Sequence, residues 1–205
     1  NGKIWVIPNF ASDVVDRETI AHGRSRKSTV DVIFARRFTT YRGARLMVEA
    51  AKQLLPCYSH LRVTFAGEGP EEVWMREQFS DDLRVRFIKY LPGDAMAAHA
   101  AHDIAVIPSI GSEGTSFAVA EAMGAGCAVV ASNVGGMTNM IIDGYNGLLV
   151  IPEKRFLVEG IRRLLDDQDL RVRLGERALD TAAVAFNKPR WKAEWRAVLE
   201  ELGRA

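Results

Sequence analysis

From Val30 onward, short β-branched or aromatic apolar runs alternate with segments whose apolar residues recur every three or four positions. The runs are Val30 to Ala35, Leu61 to Ala66, Val85 to Ile88, Ile104 to Ile107, Ala128 to Ala131 and Gly147 to Val150. They have strand length and are mostly apolar along both faces, as strands of a covered parallel sheet must be. Between them, Ala44 to Leu55 lines up Leu46, Met47, Ala50, Ala51 and Leu54 on one helical face. Glu71 to Phe79 and Asp94 to Ala101 predict shorter helices, and Phe117 to Gly126 is apolar on nearly every side. After Pro152 the pattern is wholly helical, over Leu157 to Leu165, Leu170 to Ala185 and Arg190 to Leu202. The alternation predicts an α/β fold, a doubly wound parallel sheet of Rossmann-like type with a C-terminal helical tail.

The residues before Val30 read differently. Asn1 to Phe10 predicts a short strand ending on a turn, and Ala11 to Thr29, polar and without a period, predicts a connecting stretch. The organisation expected is a lead-in over residues 1–29 and one domain over residues 30–205. A composition of 48% hydrophobic and 26% charged residues excludes a disordered chain. No apolar run approaches the roughly 18 residues of a membrane span. Lys plus Arg number 27 against 26 acidic residues, so bulk charge argues against a nucleic-acid partner and any anion site must be local. Cys57 and Cys127 read as buried free thiols of a reducing compartment, and the first residues lack a signal-peptide profile. The expected location is cytoplasmic.

In a doubly wound sheet, ligands bind outside the carboxyl ends of the strands, which directs attention to the loops there. After the first run come Arg36, Arg37 and Arg42, three guanidiniums beside a helix N-terminus and a strong arrangement for phosphate. Gly67-Glu68-Gly69-Pro70 follows the second run and allows close backbone approach; Glu72 replaces the third glycine of a dinucleotide fingerprint. After Ile107 the chain reads Pro108 to Met123, where Thr115 or Ser116 looks like an N-cap and the amides of Ser116, Phe117, Ala118 and Val119 should face the strand ends. Glu113 lies just outside that helix mouth. Glu121 lies inside an otherwise apolar helix, where a carboxylate is costly unless an arginine pairs with it or a ligand's adjacent hydroxyls bond to it. Gly135 and Gly136, in the loop after Ala131, can form an anion nest. Together these groups suit a nucleoside diphosphate carrying a hydroxyl-rich substituent.

In order and spacing, these motifs closely resemble the C-terminal, donor-binding half of GT-B glycosyltransferases of the group 1, retaining type (family GT4), from about Ile4 to the end. Glu113 and Glu121, with seven residues between them, stand as that family's paired glutamates do. The resemblance implies that Glu113 lies beside the donor sugar and Glu121 holds the ribose hydroxyls. It implies that Arg37 and Arg42 clamp the diphosphate, and it matches Gly67, Gly69 and Pro70 to the glycine turn and Gly135 with Gly136 to the later glycine pair. The segment Phe87, Ile88 and Lys89 matches the place where backbone meets the nucleobase. The donor is then a nucleotide sugar of UDP or GDP type, with neither cofactor nor metal. The acceptor, a glycan or lipid-linked glycan, is implied to meet an N-terminal domain outside this chain, so that the chain is expected to be inactive alone. Polysaccharide or glycolipid synthesis is the implied setting, at hexosyltransferase-like chemistry.

The departures from the family are specific. Arg42 stands for the usual lysine, Arg36, Ser116 and Lys89 where glycines are common, and Asn139 for a frequent glutamate. Arg36, Arg37 and Arg42 together are expected to grip a diphosphate more tightly than two cations would. Competing readings are a nucleotide-sugar 2-epimerase and a non-catalytic nucleotide-binding module. Asp167-Gln168-Asp169 reads as a polar turn between helices, and His99 and His102 as packing residues rather than metal ligands. Trp191 and Trp195 with Lys188, Arg190, Lys192 and Arg196 make the last helix basic and aromatic. That leaves peripheral association with the inner membrane face open, although packing is the expected role.

Overall fold

The computed structural model describes residues 3–11, 14–18, 20, 28–80 and 82–203. Six strands form one sheet: β1 (Val30–Ala35), β2 (Leu61–Ala66), β3 (Val85–Ile88), β4 (Ile104–Ile107), β5 (Ala128–Ser132) and β6 (Leu148–Val150). Their order is β3-β2-β1-β4-β5-β6, and every pairing is parallel. From Ala44 onward the helices are α1 (Ala44–Leu54), α2 (Glu72–Glu77), α3 (Ala95–Ala100), α4 (Phe117–Gly124), α5 (Lys154–Asp166), α6 (Gln168–Ala185) and α7 (Lys188–Leu202). A 3-10 turn precedes α3 at Pro92–Asp94, and another spans Gly135–Asn139, which the apolar pattern does not announce.

Alternate strand residues feed two separate cores, the consequence of a two-residue side-chain period in a sheet covered on both faces. Val30, Val32 and Phe34 of β1 join Ile104, Val106, Ala128 and Val130 against the apolar stripes of α1 and α5. Ile33 and Ala35 join Ala105, Ile107, Val129 and Ala131 against α4 and α6. This second core is rich in alanine, with Ala120, Ala122 and Ala125 on the helix side. Small side chains on both surfaces let α4 lie close to the sheet, which brings its N-terminus to the strand ends. The chain order reverses between β1 and β4, so a crevice opens where their two loops separate.

Asp167 caps α6, its carboxylate accepting the Leu170 N–H at 2.8 Å. Asp167→Ala should cost about 1 kcal/mol. A lower urea midpoint at unchanged denaturant slope would register it, and an unmoved midpoint would remove the cap's contribution.

Three expectations change. Residues 3–10 form no strand; the first pairing is an isolated bridge between Ala11 and Asn187. Phe10 instead packs at 4.9 Å from the Trp191 ring, which in turn meets Trp195 at 6.2 Å, so side-chain packing rather than a ladder holds the lead-in. Part of the expected connecting stretch, residues 12, 13, 19 and 21–27, lies outside the described residues. Cys57 is exposed in the turn after α1, because the apolar face of that helix ends at Leu54 and Leu55. Cys127 is buried, with its thiol directed to the His99 carbonyl at 3.2 Å.

Candidate functional site

The loops after β1, β2, β3 and β4 enclose a cleft at the carboxyl edge of the sheet. One compartment, of about 850 Å³, is bounded by Arg36, Arg37, Gly67, Gly69, Tyr90 and Glu121. A second, of about 530 Å³, shares Arg36, Arg37, Tyr90 and Glu121 and continues past Arg42, Glu113 and Phe117. Ser116 and Ala118 complete its helix-side wall.

Backbone hydrogen bonds tie the first two loops together. The Arg36 N–H donates to the Ala66 carbonyl at 2.9 Å and the Phe38 N–H to the Glu68 carbonyl at 2.9 Å. Gly67 has φ +137°, and a Cβ there would sit 2.2 Å from the Arg36 carbonyl oxygen; only glycine permits that approach. Gly69 is pressed in the same way against Phe38.

The Glu113 side chain is 7% exposed and has three side-chain partners. Its Oε1 accepts from Arg36 Nη2 at 2.6 Å, from Arg42 Nη1 at 2.8 Å and from the Ser109 hydroxyl. Arg36 Nη1 also donates to that hydroxyl. Burial works against the charge of Glu113, but Arg36, Ser109 and Arg42 outweigh it and hold the carboxyl below its ordinary range. The expectation that Arg36 joins Arg37 and Arg42 in gripping phosphate therefore needs correction. Its guanidinium turns inward onto Ser109 and Glu113, since a buried guanidinium must find acceptors. Arg37 remains exposed and forms no ion pair among the described residues.

Glu121 is the opposite case. Its carboxylate has no hydrogen-bond or ion-pair partner among the described residues, although α4 half buries it. Burial alone pushes its carboxyl up to about 7. An arginine salt bridge to it, one of the two readings the sequence allowed, is not formed among the described residues; Arg36 and Arg42 go to Glu113, and Arg37 goes to neither glutamate. Tyr90 lines both compartments, and its hydroxyl is pushed up by burial and then by the Glu121 charge. Sequence reasoning passed over Tyr90, whose only signal is being the first aromatic residue after β3.

Ser116 occupies the N-cap position of α4, yet its hydroxyl makes no cap bond and is buried with no hydrogen-bond partner among the described residues. No protein acceptor among the described residues takes the amides of Phe117 and Ala118, as expected of a first helical turn. Ile88 ends β3, where its carbonyl accepts the Gly67 N–H at 2.9 Å; Tyr90, further on, forms the cleft wall. Gly135 and Gly136 brace the Glu113 loop. The Gly136 N–H donates to the Glu113 carbonyl at 2.6 Å, and a Cβ at Gly135 would lie 2.4 Å from the same oxygen. That amide is thus turned to the loop rather than to a ligand.

His102 bonds the Ala98 carbonyl at 2.7 Å and the Thr64 hydroxyl at 2.8 Å. His99 is fully buried with neither ring nitrogen hydrogen-bonded, and burial, then His102 and Arg36, push it down to about 3. Among the described residues no helix is long and apolar enough to cross a membrane.

The profile of the family described as glycosyl transferases group 1 matches residues 16–181. D-inositol 3-phosphate glycosyltransferase of Corynebacterium glutamicum is 30% identical over 162 residues, covering 74% of this chain and 38% of its own length. The chain thus spans just over a third of the curated relatives it matches. The C-terminal domain of a group 1 family glycosyl transferase from Francisella tularensis superposes with a TM-score of 0.71 at 23% identity, covering 87% of this chain and 96% of that domain. Anabaena HepE, solved with UDP-glucose, superposes with a TM-score of 0.78 at 21% identity, covering 95% of this chain and 56% of that one.

Proposed function

Because the chain belongs to the family of group 1 glycosyl transferases, we propose that its cleft binds the nucleoside-diphosphate sugar from which a longer enzyme transfers the sugar. One observation carries the reading: a half-buried carboxylate, Glu121, shares a cleft with the guanidinium of Arg37, and neither has an ion-pair partner among the described residues. A carboxylate left without a protein donor accepts well from two adjacent ribose hydroxyls. The complex with UDP-glucose of a protein of the same fold supports a ligand of this class.

In this reading Glu121 holds the ribose and Arg37 and Arg42 neutralise the diphosphate. The amides of Phe117 and Ala118 add donors from the positive end of α4. The backbone near Ile88 meets the base, beside Gly67 and Gly69, and Glu113 faces the sugar. As the bond from the anomeric carbon to the departing phosphate oxygen breaks, negative charge gathers on the diphosphate. Arg37, Arg42 and the helix amides stabilise it where it forms, without a metal. The only Asp-X-Asp string of the chain, Asp167 to Asp169, is committed to the start of α6. Transfer goes to an acceptor hydroxyl with retention of anomeric configuration. The acceptor, a glycan or lipid-linked glycan, is met by a domain outside this chain, in polysaccharide or glycolipid synthesis on the cytoplasmic side of the membrane.

Thermal melting with UDP, GDP, ADP and TDP tests the reading. Ligand at a hundred times its dissociation constant adds about 2.7 kcal/mol, and for a domain of this size that raises Tm by roughly 5–10 °C. Selective stabilisation by one diphosphate is the expected result and names the base. No stabilisation by any of the four at millimolar concentration would count against a donor site in this cleft.

A further inference from the structure

We propose that Arg36 is the resident counter-ion of Glu113, which frees Arg42 to leave that carboxylate for the diphosphate of a bound nucleotide. The inference rests on the nucleotide reading above and adds a positioning residue to it, at a place where the family commonly has glycine. Two guanidiniums meet one oxygen, Glu113 Oε1, from different depths. The Arg36 side chain is 5% exposed and fastened by Ser109 as well; that of Arg42 is 39% exposed and stands in the cleft wall. Only the outer one can exchange partners without unpacking the fold.

The physical need for a second cation follows from burial. Removing the single partner of a buried carboxylate leaves an uncompensated charge, and the group then takes up a proton. If Arg42 alone faced Glu113, transferring it to a diphosphate would neutralise the carboxylate just as the sugar arrived. With Arg36 beneath it, Glu113 stays ionised. Its Oε2, which has no protein partner among the described residues, remains an acceptor. Charge balance agrees. Arg36 cancels Glu113, leaving Arg37 and Arg42 for the two charges of a diphosphate diester, which fits a donor with an uncharged sugar. The other titratable groups around Arg36 are Tyr90, on the cleft wall with Glu121, and His99 on α3, which burial keeps neutral.

A ligand-free experiment decides the role. In Arg42→Met, which imitates the departure of Arg42, the Glu113 carboxyl followed by ¹³C NMR should still titrate at or below the ordinary carboxylate range. In Arg36→Met with Arg42→Met it should titrate in the neutral range. Neutral-range titration in Arg42→Met alone overturns the proposal. The single variant Arg36→Met provides a second reading that does not need the double variant to fold. Calorimetry with UDP and GDP, in buffers of different ionisation heat, should show Arg36→Met taking up more protons on binding than wild type does, the difference being the proton gained by Glu113. Affinity should be about tenfold below that of wild type at pH 8, and the gap between the two should close toward pH 6, where protonation of Glu121 weakens both alike, while Arg36→Lys restores most of the wild-type behaviour. Equal affinity and proton count in Arg36→Met and wild type would also overturn it. Failure of the wild-type chain to bind any nucleotide strikes the nucleotide reading instead, and the Glu113 titration still decides what Arg36 does.

Discussion

Replacing Glu121 by glutamine is expected to weaken nucleoside-diphosphate binding at pH 8 by about ten- to a hundredfold, the worth of hydrogen bonds to a charged acceptor in a partly buried site. Glutamine keeps the volume and one carbonyl acceptor but loses the charge and turns one oxygen into a donor. The pH dependence separates this from a loss of packing. In the free chain burial pushes the Glu121 carboxyl up to about 7, with no donor to it among the described residues. Ribose hydroxyls bond best to the ionised form, so binding should lower that value and release a proton. Wild-type affinity should therefore climb from pH 6 to pH 8 and level off above, whereas Glu121→Gln should lack that climb. Titration calorimetry across that range measures both. A variant with wild-type affinity, or a wild type without the climb, would assign Glu121 a structural role and remove the main support for the donor site.

The same shift makes a stability prediction of opposite sign. A carboxyl with its folded value above its unfolded one disfavours the fold once ionised, so stability is lost as pH rises from about 4.5 to about 7. Allowing for the partial exposure of Glu121, the loss is on the order of 1–2 kcal/mol. Glu121→Gln should accordingly melt above wild type at pH 8 and close to it at pH 4.5. A variant both more stable and poorer at binding is what a residue kept for a ligand produces.

The strands could be read from the chain because each is short, β-branched and mostly apolar on both faces, and β1 to β4 begin and end where that pattern does. The lead-in could not. Ile4 to Phe10 has strand composition, but a strand exists only beside a partner edge, and the ring of Trp191, 181 positions from Phe10, took it instead. At the site, sequence alone collected the guanidiniums, glycine turns and carboxylates at one sheet edge, since strand ends are visible in the pattern. It could not pair them. Three arginines near two glutamates permit several assignments, and the choice depends on Arg36 reaching across 77 positions to Glu113 at 2.6 Å. Depth decided that choice: Arg36 follows directly on a strand buried throughout, whereas Arg37 projects outward. Gly135 and Gly136 have the sequence of an anion nest, but the structure shows them closing on Glu113 and Gly114, a contact between loops that carries no periodic signature.

Phe38→Ala is expected to destabilise the fold by about 3–5 kcal/mol, the cost of emptying a fully enclosed aromatic site, and to release the β1 loop. The ring is 0% exposed and lies against Phe34 at 6.1 Å and Phe87 at 6.4 Å, so it belongs to the core even though its backbone belongs to the site. Its carbonyl accepts the Glu71 N–H at 3.1 Å, and Gly69 is packed onto that same peptide. Arg37 directly precedes it, and Arg42 follows within the same turn. A cavity beneath the loop should therefore appear twice: as a Tm lower by roughly 6–20 °C, and as weaker nucleotide binding measured well below that Tm. Phe38→Leu, which fills most of the space, should cost under about 2 kcal/mol and bind nearly as wild type does. If Phe38→Ala melts early but binds normally, the backbone bonds to Glu68 and Glu71 hold the loop without the ring. The aromatic core would then stabilise the sheet and leave the placement of Arg37 and Arg42 to the glycine turn.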